Sequence, residues 1–320
     1  MNFSILGTGS YAPPRIVTND ELATMMPTSD EWITQRVGVK ERHVCTTETA
    51  ADLALEAARR ALENSHTRPE ELDMILVATV SNDNATPGIG CLVQRDLGAA
   101  CPTMDLNAAC SGFLFMLETA AAFFARGRVR RMLIIGAEHM SRLLEWDKAG
   151  ICVIFGDGAG AAVLGPGEDL LASRIHTYGG DSVICVPNYV GASPFFTGKA
   201  RPPFVQMNGQ ETYKFAVNAM CRDLAQVLED AHLQGNELAY VVPHQANYRI
   251  IQGASHRLPI PEDRFYVNID RYGNTSAASV PMALDELNQA GKLHAGDLVA
   301  MCAFGGGLSS AACIIRWTKD

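Results

Sequence analysis

Two stretches of this chain repeat each other at a fixed distance, and that repetition limits what it can fold into. "ALENSHTRPEELDMILVAT" (61–79) and "VLEDAHLQGNELAYVVPHQ" (227–245) share Leu62/Leu228, His66/His232, Glu71/Glu237 and Leu72/Leu238 at one offset of 166 residues. Each reads as a helix, a polar turn and a buried strand. The match continues downstream, where "FFARGRVRRMLIIGAE" answers "LNQAGKLHAGDLVAMCA" and "FGDGAGAAVLG" answers "FGGGLSSAACII". A period of this length is a duplicated half and not a short solenoid repeat. The reading is two similar α/β halves, 1–166 and 167–320, joined near the loop "GPGEDLLAS" (Gly165–Ser173) and forming one unit. Alternating helices and apolar strands imply right-handed crossovers onto sheets covered by helices. If the central helices of the halves pack together, equivalent corners meet near a pseudo-twofold axis.

The most telling pair of corners is "NAACSG" against "GNTSAAS", which sets Cys110 opposite Ser276. "CPTMDLNAA" reads as a strand and "SGFLFMLETAAAFFARG" as an apolar helix with a glycine stop, so Cys110 falls at a helix N-terminus. Unpaired N–H groups and the helix dipole favour a thiolate there, and such sites bring a thiol from ~8.5 to roughly 3.5–7.5. The expectation is a lowered thiol pKa. The alternative is a buried small residue, since free cysteine is often core. In the second half, "VVPHQANYRI" delivers His244 at a strand tip, and "DRYGNTSAAS" places Asn274 after a turn glycine. Taken singly, each is equally a structural hydrogen-bonder or cap. The duplication gives a reason for Cys110, His244 and Asn274 to converge. "FGGG" (304–307) lets backbone N–H groups approach a ligand, as one side of an oxyanion hole, or simply makes a tight turn.

Composition excludes several classes. A net charge of −9 argues against a general nucleic-acid binder. No apolar run approaches the ~20 residues of a membrane span, and the first residues lack a secretory pattern. Nine cysteines without a C-x-x-C pair suggest neither zinc nor a disulfide scaffold, and a reducing cytoplasm is the expected setting. No H-x-x-x-H pattern supports a metal site, and "FGDGAGAAVLG" lacks dinucleotide-binding spacing.

With these residues in place, the sequence resembles the β-ketoacyl-acyl carrier protein synthase III family of the thiolase superfamily. The likeness runs in order through "ILGTGSYAPP", "TSDEWITQRVGVKERH", "AACSGF", "FGDGAGAAVL", "PHQAN", "GNTSAAS" and "FGGG". The resemblance implies a five-layered αβαβα thiolase fold and a homodimer. It also implies decarboxylative condensation of an acyl-CoA primer with malonyl-acyl carrier protein, without a metal or redox cofactor. Cys110 would carry the acyl group. His244 and Asn274 would hold the malonyl thioester carbonyl. The N–H groups of Cys110 and Gly306 would hold the oxyanion, and Phe304 would wall the histidine. Trp32 and Arg36 would contact CoA, and Gly209 and Asn247 the pantetheine. Lys214, Arg249 and Arg257 would meet the acidic carrier protein.

Two departures bear on the primer. Ala149, next to Lys148, stands where the family often has an arginine across the adenine, which implies a weaker adenine grip or another primer carrier. Thr86 replaces an aromatic that some relatives insert into the partner's acyl pocket, implying room for a longer or branched primer. Three rival readings remain at this point. One is a same-fold acyltransferase or condensing enzyme of secondary metabolism. Another is a papain-like hydrolase, since His244 follows Cys110 by a spacing within that family's ~130–150 residues. The third is an inactive binding protein.

Overall fold

A computed structural model describes residues 1–187, 194, 195, 197–199 and 201–319. Its two main sheets reproduce the duplication. In the first, strand Asn2–Tyr11 pairs with Gly158–Gly167, which pairs with Met132–Glu138, then Met74–Ala78, then Thr103–Leu106. The first two pairings are antiparallel and the last two parallel. In the second, Leu170–Gly180, Gly307–Arg316, Leu298–Gly305 and Tyr240–Pro243 follow in the same order and with the same directions. A single parallel bridge from Val241 to Phe265 stands where the fifth strand would be. His66 and His232 both adopt a left-handed backbone, φ 53° and 55°, at the matched turns.

Helices fill three layers around these sheets. Ala50–Asn64 buries Ala50, Leu53, Ala54, Ala57, Ala58, Ala61 and Leu62 along one stripe against the outer face of the first sheet. Its start is fixed by a reciprocal Thr49–Asp52 capping box, a device contributing about 1 kcal/mol. Gly209–Asp230 covers the outer face of the second sheet, capped by the Asn208 side chain. Between the sheets lie Gly112–Ala125 and Ser279–Gln289. The first of these is apolar nearly all round, as a helix with protein on every side requires. Helix, sheet, helices, sheet and helix thus make five layers.

The central helices begin at the corners expected to meet, and they do. Each is preceded by one 3-10 turn, Ala109–Ser111 and Ser276–Ala278. The left-handed residues there are Ala109 (φ 48°) and Ser276 (φ 49°). Residue-for-residue equivalence is therefore Ala109 with Ser276, one position beyond the 166 offset of the flanking elements. Cys110 matches Ala277, and Ser276 faces Cys110 across the axis instead of mirroring it.

Candidate active site

Cys110 lies on the 3-10 turn that leads from strand Thr103–Leu106 into the helix at Gly112. Its Sγ is 3.4 Å from the Ser276 hydroxyl. Gly305 is the neighbour that lets the second half come this close. A Cβ there would stand 2.7 Å from the Cys110 nitrogen, a separation that real side chains do not show. The expected drop in thiol pKa does not occur. Burial pushes the Cys110 thiol up to about 12, and the nearby Glu138 charge adds to the rise against a lowering by Ser276. The helix N-terminus is present, but desolvation of the thiolate outweighs it.

His244 follows the strand Tyr240–Pro243, is 1% exposed, and donates its backbone N–H to the Cys302 carbonyl at 2.7 Å. Its Nδ1 lies 2.6 Å from the Ser279 hydroxyl, which also accepts the Gln245 N–H. That hydroxyl is free to give its hydrogen to Nδ1, so Nε2 is assigned the imidazole proton. Burial lowers the His244 pKa to about 3, so the ring is neutral at physiological pH. Phe304 packs edge-on against it, ring centroids 5.3 Å apart.

Asn274 is held by its backbone, donating to the Ile154 carbonyl (2.8 Å) and accepting from Gly156 N–H (3.1 Å). Its Oδ1 accepts the Ser276 N–H at 2.8 Å, so the side-chain NH₂ is the group left to point at a ligand. The preceding Gly273 needs its positive φ of 64°, and a Cβ there would meet the Ile154 carbonyl at 2.8 Å. Two neutral donors and a thiol thus share one pit.

That pit is the floor of a cavity of about 1460 Å³, larger than the ~300–1,000 Å³ of ordinary small-ligand sites. Cys110, His244, Asn274, Phe304 and Gly306 line its depth, and Trp32, Arg36, Gly209, Asn247, Lys214 and Arg249 line the approach. Trp32 is 42% exposed there. The Asn247 amide is already engaged, accepting Arg249 N–H (2.8 Å) as a helix cap and donating to the Arg36 carbonyl (3.1 Å). It therefore ties the two walls together before any ligand arrives. Lys214 pairs with Glu211 at 2.9 Å, whereas Arg249 has no ion pair among the described residues.

Three expected positions lie off this wall. Arg257 bonds to Asn218 Oδ1 at 3.1 Å away from the lining. Thr86 is exposed and does not line this chain's cavity. Ala149 opens a short helix beside the lining residue Gly150, and the adjacent Lys148 pairs with Glu145. Cys45, His139 and Asp157 form a separate cluster within 4.8 Å of one another, but both Asp157 oxygens already accept bonds from Cys45 N–H, Ser141 N–H and Ser141 Oγ. The sequence reading named Ser276 only as the corner opposite Cys110, with no role for its hydroxyl, and missed Ser279 and Glu138. The available signal was an acidic residue closing the wholly buried strand "MLIIGAE".

Comparison with known proteins gives the family and the fold. The family profile of 3-oxoacyl-[acyl-carrier-protein (ACP)] synthase III matches residues 104–179, and its C-terminal counterpart matches residues 228–317. The β-ketoacyl-[acyl-carrier-protein] synthase III of Clostridium acetobutylicum is 42% identical over 322 residues, covering 98% of each chain. That of Caldanaerobacter subterraneus subsp. tengcongensis is 44% identical over 323 residues, again 98% of each. The crystal structure of the Aquifex aeolicus VF5 synthase III superimposes with a TM-score of 0.92 at 40% identity, covering 98% of this chain and 100% of that one. A priming β-ketosynthase from the R1128 polyketide biosynthetic pathway gives 0.93 at 33% identity, covering 99% and 97%. The chain is a thiolase-fold, acyl-transferring condensing enzyme and belongs to the β-ketoacyl-acyl carrier protein synthase III family.

Proposed function

We propose that Cys110 takes an acyl group from an acyl-CoA primer and that His244 and Asn274 then drive its condensation with malonyl-acyl carrier protein, the first step of fatty-acid synthesis. The observation that carries this reading is the meeting of one thiol and two neutral hydrogen-bond donors, drawn from both halves, at the floor of one deep cavity. In the first half-reaction the Cys110 sulfur bonds to the acyl carbon and the CoA thiolate leaves. The tetrahedral oxyanion is held by the N–H groups of Cys110 and Gly306. In the second, the malonyl thioester oxygen accepts bonds from His244 Nε2–H and Asn274 Nδ2–H while carbon dioxide departs. The apolar Phe304 ring disfavours the malonyl carboxylate and favours its loss. The resulting enolate carbon attacks the acyl-Cys110 carbonyl and expels the Cys110 sulfur. The reaction so written calls for no cofactor.

The chain works as a homodimer in the cytoplasm, with Thr86 reaching the partner's acyl pocket. No described helix is long and apolar enough to cross a membrane. Acyl-CoA should be required for carbon dioxide release from malonyl-acyl carrier protein, with β-ketoacyl-acyl carrier protein seen by mass spectrometry. Hydrolysis of acyl-CoA alone, or transfer of the acyl group to an amine or hydroxyl, would overturn this reading. Repeating the assay from acetyl to longer and branched primers reads out the space that Thr86 leaves.

The carrier protein is acidic and this chain is itself at −9, so docking needs a local basic patch. Lys214 and Arg249 at the approach, with Arg257 nearby, supply it. Arg249→Glu is expected to raise KM for malonyl-acyl carrier protein several-fold while leaving acylation by acyl-CoA nearly unchanged. The defect should shrink with added salt, since exposed charges are screened over ~10 Å at 0.1 M. Equal losses with both substrates, insensitive to salt, would assign Arg249 to the tunnel wall instead.

A further inference from the structure

Glu138 ends the strand Met132–Glu138, directly behind the nucleophile, and is 0% exposed. No cation faces it among the described residues; every partner is a neutral donor. Its Oε2 accepts Ser81 Oγ (2.6 Å), Thr79 Oγ1 (3.2 Å) and Val80 N–H (3.1 Å). Its Oε1 accepts Ser276 Oγ–H (2.9 Å) and Ala277 N–H (3.4 Å). Ser276 has given its hydrogen to the carboxylate, so its oxygen is the acceptor for the Cys110 thiol at 3.4 Å. The donors thus run one way, from thiol to hydroxyl to carboxylate, entirely inside the protein.

We propose that this chain is a proton relay in which Glu138, acting through Ser276, receives the Cys110 proton during acylation, stores it in the acyl-enzyme, and returns it after condensation. The inference rests on the reading that Cys110 is the acylated residue. During acylation the thiol proton passes to Ser276 Oγ as the Ser276 proton passes to Glu138. Sulfur bonds to the acyl carbon, and the departing CoA thiolate takes its proton from solvent. During condensation the malonyl carboxylate leaves as carbon dioxide, the enolate forms the new carbon–carbon bond, and the Cys110 thiolate is expelled. Neutral Glu138 then gives its proton back through Ser276, restoring thiol and carboxylate. Atoms and charge balance over the cycle. Glu138 touches no reacting atom, so it is a positioning residue.

Two features call for such an acceptor. Burial raises the thiol and makes the free thiolate scarce, while His244 holds a proton poorly. Burial also raises the Glu138 carboxyl, which improves its match as an acceptor. The titratable groups around the thiol are Glu138 and, across the cavity floor, His244. Glu138 itself faces hydroxyls and backbone N–H groups from residues 79–81 and 276–277.

The test follows Cys110 acylation by acyl-CoA, and its alkylation by iodoacetamide from pH 6 to 9, by intact mass. Glu138→Gln and Ser276→Ala should each slow acylation on the order of 10²-fold. The alkylation profile should move to higher pH in Ser276→Ala, which loses a hydroxyl that lowers the thiol, and to lower pH in Glu138→Gln, which loses a charge that raises it. Glu138→Asp should recover part of the rate, and KM for acyl-CoA should stay unchanged. Ser276→Ala decides the matter if Glu138→Gln does not fold, because it leaves the carboxylate with Ser81, Thr79 and Val80. A folded Glu138→Gln or Ser276→Ala with wild-type rates and an unshifted profile would overturn the relay. Absence of any acyl adduct on the wild-type Cys110 would instead overturn the reading it rests on.

Discussion

Cys110→Ala is expected to abolish acyl-enzyme formation completely. Incubating the wild-type chain with acyl-CoA should add one acyl mass per chain, and the variant should show none. The expectation has physical content because eight other cysteines provide internal controls. Cys302 and Cys313 are buried with thiols raised by desolvation, and Cys152 is buried and donates to the Glu145 carbonyl. Cys91 is exposed but lies on the helix Ile89–Leu97, none of whose residues line the cavity. Only Cys110 and Cys185 line the cavity, and Cys185 is approached by Arg201 instead of an oxyanion-type turn. An adduct that persists in Cys110→Ala would move the chemistry to another cysteine. The loss should not be a folding effect, since the substitution removes one sulfur from the wall of an open cavity and leaves no closed void.

What was legible in the sequence was whatever repeats or alternates. The 166-residue offset could be read because the helix, turn and buried strand occur twice with identical spacing, and the two sheets preserve it in strand order and direction. The strand tip at His244 and the turn at Gly273–Asn274 were legible for the same local reason, a pattern ending where a turn residue begins. The extra residue at the nucleophile corner was not. "NAACSG" and "GNTSAAS" can be laid over each other in two registers, and only the left-handed backbone at Ala109 and Ser276 chooses between them.

The environment of Cys110 was harder still to read. Helix position argues for a low thiol pKa, whereas burial between two halves argues the reverse, and burial depends on contacts more than a hundred residues apart. Ser276 read only as the corner matching Cys110 and Ser279 as a small residue in a helix start, and their hydroxyls acquire meaning only once Cys110, Glu138 and His244 stand beside them. Asn247 likewise came into view only as a pantetheine contact implied by the resemblance, and the fold shows its amide as a helix cap and a tie to Arg36. Polar networks that cross the two halves leave no periodic trace.

His244→Ala and Asn274→Ala are expected to separate the two half-reactions. Each should still acylate Cys110, because the donors proposed for the acyl oxyanion are backbone N–H groups that neither substitution removes. Each should lose malonyl decarboxylation by ~10²–10³, the scale seen when one oxyanion-hole donor is deleted. Variants that decarboxylate normally but fail to acylate would reverse the assignment of roles. The histidine also makes a prediction about pH. Its folded pKa is depressed to about 3, whereas in the unfolded chain it is ~6.5. Between those values the unfolded chain binds a proton that the folded chain refuses. Acidification through that window therefore favours unfolding, by up to ~1.4 kcal/mol per pH unit for this one group. In His244→Ala that contribution disappears, so the slope of unfolding free energy against pH from 6 to 4 should flatten by up to that amount. The same depressed value keeps the imidazole a neutral donor, so decarboxylation by the wild-type chain should show no loss from His244 protonation down to pH 5. An acid limb centred near 6.5 that is absent from Asn274-independent steps would mean that the ring charges in the working enzyme, and a charged ring would pair with the malonyl carboxylate and hold it back.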